Sequence, residues 1–248
     1  MKQAILVAVL LLLASTLASA NNLVVPNAQA TTTGNVTIGL TTSSPSFEYQ
    51  EDYGSGQFFS VGSPLLITQI AFRAAPGTGA IDVDTTSFNI YLSTSPYFPN
   101  TINGHTLITS DYAANKGADN TKVLSGSGTF FSSPGCSTPG PCAFDMVFNL
   151  TTPFLFDPTK GTLLLDAQFT GWNDIGKAGS LDGEAFSSPL GGSVAQVGSD
   201  DTVQLRGPIV EFGFTPVPEP STLSLLGISL VGILGFTSRL RAHCRPAK

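Results

Sequence analysis

The sequence predicts an all-β fold, an antiparallel β-sandwich of jelly-roll or immunoglobulin-like type, with an N-terminal signal peptide and one C-terminal transmembrane helix. Three observations carry this prediction. Apolar residues recur with period two in short runs through the middle of the chain. Gly (26) and Pro (17) punctuate those runs, while charged residues make up only 11% of the 248, too few to clothe solvent-facing helices. No stretch between Asn21 and Thr215 keeps a helical period.

Residues 1–20 read as a signal peptide. Lys2 supplies the positive start, "AILVAVLLLLA" from Ala4 to Ala14 is the apolar run, and "ASA" ending at Ala20 has the small residues that signal peptidase requires. "AQA" ending at Ala30 is a second cleavage option. Residues 21–46 are Thr-rich and poor in large apolar side chains, so an extended arm is expected there.

The sandwich is expected over 47–215. In "SFNIYLS", Phe88, Ile90 and Leu92 face one way and Asn89 and Tyr91 the other. Phe144, Met146, Phe148 and Leu150 make one face of "FDMVFNL". Leu163, Leu165, Ala167 and Phe169 do the same in "TLLLDAQF". In "IVEFGF", Val210, Phe212 and Phe214 point inward and Glu211 outward. "NVTIGL", "LLITQIAFR" and "TKVLSGSGTFF" are further strands, and "DYAANKGAD" is expected to form one short helical turn. About eight to ten such strands in one domain fit a sandwich.

The C-terminal segment has a fixed order. Residues 216–222 are a strap in which Pro216, Pro218 and Pro220 alternate, each fixing φ and pushing its predecessor toward extended geometry. Residues 223–238 follow as the transmembrane helix, with the apolar run Leu223 to Phe236 at its heart. The 18 uncharged residues between Pro220 and Arg239 span about 27 Å as a helix, enough for a bilayer core with snorkelling at the basic end. Residues 239–248 carry Arg239, Arg241, Arg245 and Lys248 without an acid, which keeps this tail cytoplasmic.

"VPEPSTLSLLGISLVGILGFTSRLRAHCR" resembles the sorting signal of PEP-CTERM proteins. The resemblance implies a membrane-embedded exosortase as processing partner. It also implies Pro218, Glu219 and Pro220 as the recognised motif, and Arg239, Arg241 and Arg245 as the retention tail. The expected route runs through the Sec translocon and signal peptidase, then transient anchoring at the inner membrane. It ends at the cell surface or the extracellular polysaccharide matrix. A similar C-terminal segment occurs on some ice-binding proteins. The clusters Thr31–Thr33 and Thr41–Thr42 lack the repeating T-x-T ladder that ice binding needs.

Charge agrees with this topology. Between Asn21 and Pro220 lie all 17 acidic residues and only six basic ones, a net charge of −11 that argues against nucleic acid as a partner. Cys136 and Cys142 flank "STPGP" in an exported domain and are expected to form a disulfide. Cys244 falls in the tail.

No catalytic residue, cofactor or metal site is singled out. His105 reads as a turn residue, and no G-x-S-x-G is present. Asp82 and Asp84 in "AIDVDTTS" and the pair Asp200 and Asp201 read as solvated loop carboxylates. Seventeen acids allow many carboxylate pairs without marking one, so a glycosidase ranks third. The alternative to an exported protein of unassigned activity is a surface carbohydrate-binding module. Its sugar-stacking residues would be Trp172, Tyr49, Tyr53 and Tyr97.

Overall fold

The computed structural model describes residues 21–39, 44–61, 64–99, 108–137, 139–175, 179–186, 194–197 and 202–217. Residues 1–20 and 218–248 lie outside these. The signal peptide, Pro218, Glu219 and Pro220, the apolar run and Arg239, Arg241 and Arg245 therefore have no structural description here, nor do His105, Thr41, Thr42, Asp200 and Asp201. Among the described residues no helix is long and apolar enough to cross a membrane.

Every strand pairing is antiparallel. The first sheet has the order β1 (Asn21–Val25), β14 (Val210–Pro216), β4 (Leu65–Phe72), β7 (Met146–Phe156). The largest runs β12 (Val203–Gln204), β11 (Val194–Val197), β3 (Ser46–Tyr53), β8 (Thr162–Thr170), β5 (Asp82–Ser95), β6 (Thr121–Phe131), with β9 (Asn173–Asp174) also on β5. A third sheet pairs β13 (Arg206–Pro208), β10 (Ser180–Ala185) and β2 (Val36–Gly39).

The two larger sheets enclose one core. Leu23, Val25, Ile67, Ile70, Phe154, Phe156, Val210, Phe212 and Phe214 pack against Tyr53, Phe88, Ile90, Leu92, Val123, Leu163, Leu165 and Ala167. Each fully buried Phe or Leu contributes about 1.5–3 kcal/mol relative to exposure. The alternation read in β5, β8 and β14 appears as burial at every expected inward position except Phe169, which is partly buried.

β4 shows why pattern and structure can part within one strand. Leu65 and Ile67 point inward, and so do Ile70 and an only partly buried Phe72, a change of parity. The ladder to β14 and to β7 skips Thr68, whose hydroxyl donates to the Gly213 carbonyl, so one bulged residue restores the inward face. β7 tolerates Pro153 because it is the edge of its sheet.

Several expectations are corrected. Residues 21–25 are not part of an arm: β1 zips along β14 from Asn21↔Phe214 to Val25↔Val210, while β2, the strand expected in "NVTIGL", pairs with β10. Short strands with few large apolar residues are selected by their partners more than by their own pattern. Asp82 and Asp84 lie on strand β5, paired with Phe131 and Thr129, and not in a loop. Phe144 precedes β7 and sits under the Arg73 guanidinium, 4.9 Å from ring centroid to Cζ. Central strand β8 is covered on both faces, since Leu164 and Asp166 are as buried as Leu163 and Leu165. The covering layer is the segment around the helical turn Tyr112–Asn115, capped by Asp111, whose carboxylate accepts from the Ala113 and Ala114 amides.

Cys136 and Cys142 are joined as a disulfide. The loop it closes is short, so opening it with Cys136→Ser and Cys142→Ser should cost only about 2 kcal/mol. Urea denaturation of the double variant checks this; a loss several times larger would mean that the loop anchors more than itself.

Candidate functional site

Where the third sheet meets the sandwich, the inner faces separate and leave a cavity of about 290 Å³. Phe72 and Phe148 from the first sheet wall it, with Leu165, Ala167 and Phe169 from the largest. Ile38 and Leu181 contribute from the third sheet. Phe47, Phe169 and Trp172 form an aromatic group on its rim, with centroids 5.1 Å, 5.1 Å and 4.7 Å apart. Phe130 continues this wall, 5.2 Å from Phe148.

The polar part of the lining comes from β3, β11, β12 and β13: Tyr49, Gln196, Gln204 and Arg206. Tyr49 Oη lies 2.9 Å from Gln196 Oε1 and 3.2 Å from Glu51 Oε2. A hydroxyl has one proton to give. Tyr49 is the donor toward either acceptor, and burial holds the Glu51 carboxyl well above the usual carboxylate range. The chain continues outward, Gln196 Nε2 donating to Gln204 Oε1 (3.2 Å) and Gln204 Nε2 to Thr202 Oγ1 (3.0 Å). Arg206 Nε is buried and has no hydrogen-bond partner among the described residues.

The four aromatic residues singled out from sequence separate here. Tyr49 and Trp172 line this one cavity. Tyr53 is fully buried, edge-on to Phe212 at 5.1 Å, and offers no face to a sugar, which corrects its assignment. Tyr97 packs against Ile108, and its carbonyl accepts from Thr162 Oγ1 at 2.7 Å.

A second polar group lies on the opposite face of the same sheet. Lys116 Nζ is 2.9 Å from Glu48 Oε1 and 2.8 Å from Asp166 Oδ2. Burial pushes Asp166 up to about 7, and its hydrogen bond with Glu48 adds to the rise. Glu48 is also desolvated, yet its hydrogen bonds to Asp166 and Lys116 bring it below its ordinary value. The two carboxyls thus share one proton below neutrality. The ammonium fills the space between them and Asp166 is 1% exposed, so a sugar ring has no room to lie between the acids.

Nearby, Gln50 Nε2 donates to the Tyr112 carbonyl, Asn115 Nδ2 donates to Gln50 Oε1, and Thr162 Oγ1 is hydrogen-bonded to Asp52 Oδ1. Sequence reading missed the buried run Gln50, Glu51 and Asp52. One signal was present: Glu51 sits between Tyr49 and Tyr53 at period two, which places an acid on the inner face.

The chain divides into two compact units, 1–216 and 217–248. Residues 216–241 match the family model of the PEP-CTERM protein-sorting motif. No curated protein and no solved structure matches the chain.

Proposed function

From the sorting motif at residues 216–241, which marks the chain for export and makes an exosortase its processing partner, we propose a precursor held briefly at the inner membrane. The run Leu223–Phe236 is its anchor, and exosortase cleavage releases the folded part toward the cell surface or the polysaccharide matrix. The supporting observation is positional. β14 makes its last pair, Pro216↔Leu65, at the residue where the motif begins. A cut just beyond it would remove the sorting segment and break none of the described strands. Prolines at alternate positions in the sequence favour extended backbone, a shape that suits a protease cleft. The released part acts by binding and not by catalysis. A surface carbohydrate-binding module needs exposed aromatic platforms, and support for that reading rests on Tyr49 and Trp172 alone.

Replacing Pro218, Glu219 and Pro220 with alanine in an exosortase-bearing host should abolish release. Mass spectrometry should find the wild-type product in the medium, shortened at its C-terminus, and the variant full-length in the membrane fraction. Equal release of both would overturn the proposal.

A further inference from the structure

We propose that the cavity between the sheets binds a small amphipathic carboxylate, its apolar body against the phenylalanine wall and its head on Arg206. Three observations on the cavity lead to this ligand class.

The first is size. A dry cavity of about 150 Å³ accommodates benzene, so one of about 290 Å³ takes roughly twelve non-hydrogen atoms. The second is wall chemistry. Phe72, Phe148, Leu165, Ala167 and Phe169 provide no hydrogen bonds, and an apolar chain or ring removes their surface from water. A sugar, which carries a hydroxyl on nearly every carbon, would leave most of its polar groups unpaired against this wall.

The third observation sets the head group. Tyr49 donates toward Gln196, and the Oε1 atoms of both glutamines already accept. The donors of the lining are the buried Nε of Arg206, which has no partner among the described residues, and the two glutamine amides. A head that only accepts completes this set, and a negative one also answers the guanidinium charge. Burial disfavours the charged form of Glu51, the acid hydrogen-bonded to Tyr49, so that acid offsets the guanidinium charge less.

Trp172 is the only tryptophan of the chain and lines the cavity, so its emission reports occupancy. The probes are decanoate below its micellar concentration, decanol, and a cello-oligosaccharide. They are titrated into the full exported chain in zwitterionic nanodiscs, with empty discs correcting for partitioning. Decanoate should give a saturable one-to-one change in emission and raise the Tm. Arg206→Met should weaken decanoate by roughly tenfold or more and leave decanol unchanged. Ala167→Leu, which fills the cavity, should weaken both.

The wild-type titration decides alone if either variant fails to fold. No saturable response to decanoate overturns the proposal, as does equal decanoate affinity in wild type and Arg206→Met. Saturation by the oligosaccharide in place of decanoate overturns it in favour of a sugar site. None of these outcomes depends on whether the sorting segment is cleaved.

Discussion

Replacing Asp182 with alanine is expected to destabilise the fold by about 3–5 kcal/mol, a large share of the ~5–15 kcal/mol typical of a domain. Asp182 Oδ2 accepts from Arg73 Nε at 2.8 Å, and both side chains are 1% exposed. The other carboxylate oxygen accepts from the Gly34 amide at 3.0 Å. Arg73 also donates to the Gln29 carbonyl at 3.1 Å and to that of Thr32 at 2.7 Å. One buried ion pair therefore ties residues 29–34 onto β10. Burial raises Asp182 and lowers Arg73 from their ordinary values, each toward neutrality, so attraction between the partners does not fully repay desolvation. The alanine variant leaves a guanidinium in the interior without its ion-pair partner, with only the weaker field of Glu211 to offset it. The double variant Arg73→Met, Asp182→Leu should lose clearly less than Asp182→Ala, because no charge is stranded. Urea denaturation of both variants tests this. A loss under about 1 kcal/mol for Asp182→Ala would show that water reaches the site and compensates.

Asp166→Asn is expected to stabilise the protein at pH 8 by roughly 2–4 kcal/mol relative to its effect at pH 4. The folded value of Asp166 is about 7, against an ordinary 3.8. Between those two values the folded chain holds a proton that the unfolded chain has lost. Unfolding releases that proton, so stability falls as pH rises through this window and is level above it. Asparagine mimics the protonated acid and removes the fall. Glu48 contributes in the opposite sense, with stability that is lost only as pH drops below its ordinary value. The raised Lys116 contributes stability lost only in the alkaline range. Glu51, Asp52, Asp182, Glu184 and Glu211 are all raised by burial and tilt the whole curve in the same direction as Asp166. The difference between wild type and variant isolates the Asp166 part. Thermal unfolding from pH 4 to pH 8 supplies it, and parallel curves would mean that Asp166 is ionised throughout.

Much of the sandwich was legible before any coordinates. Phe88, Ile90 and Leu92, and again Val210, Phe212 and Phe214, declare their inward face by alternation alone, because a pleated strand sends successive side chains to opposite sides. The helical turn at Tyr112–Asn115 announced itself through Asp111 and two alanines. β1 did not, since Asn-Asn-Leu-Val-Val becomes a strand only through its partner β14. Half of the candidate site was also visible, as Tyr49 and Trp172 stood out by residue type. Gln196, Gln204 and Arg206 carried no local mark.

What the chain determines by itself is written in contiguous residues: strand faces, the Cys136–Cys142 closure and the sorting motif at 216–241. Each is encoded within a few positions and needs no distant partner. Tertiary structure alone decided that Gln50, Asp52 and Asp166 are buried, and that Tyr49 meets Gln196. Those outcomes depend on pairings such as Asp52↔Ala195 and Tyr49↔Ala167, which join segments more than a hundred residues apart. Hydrophobic burial chooses such pairings for the sheet as a whole, and the polar side chains are carried along to whatever neighbours the register assigns.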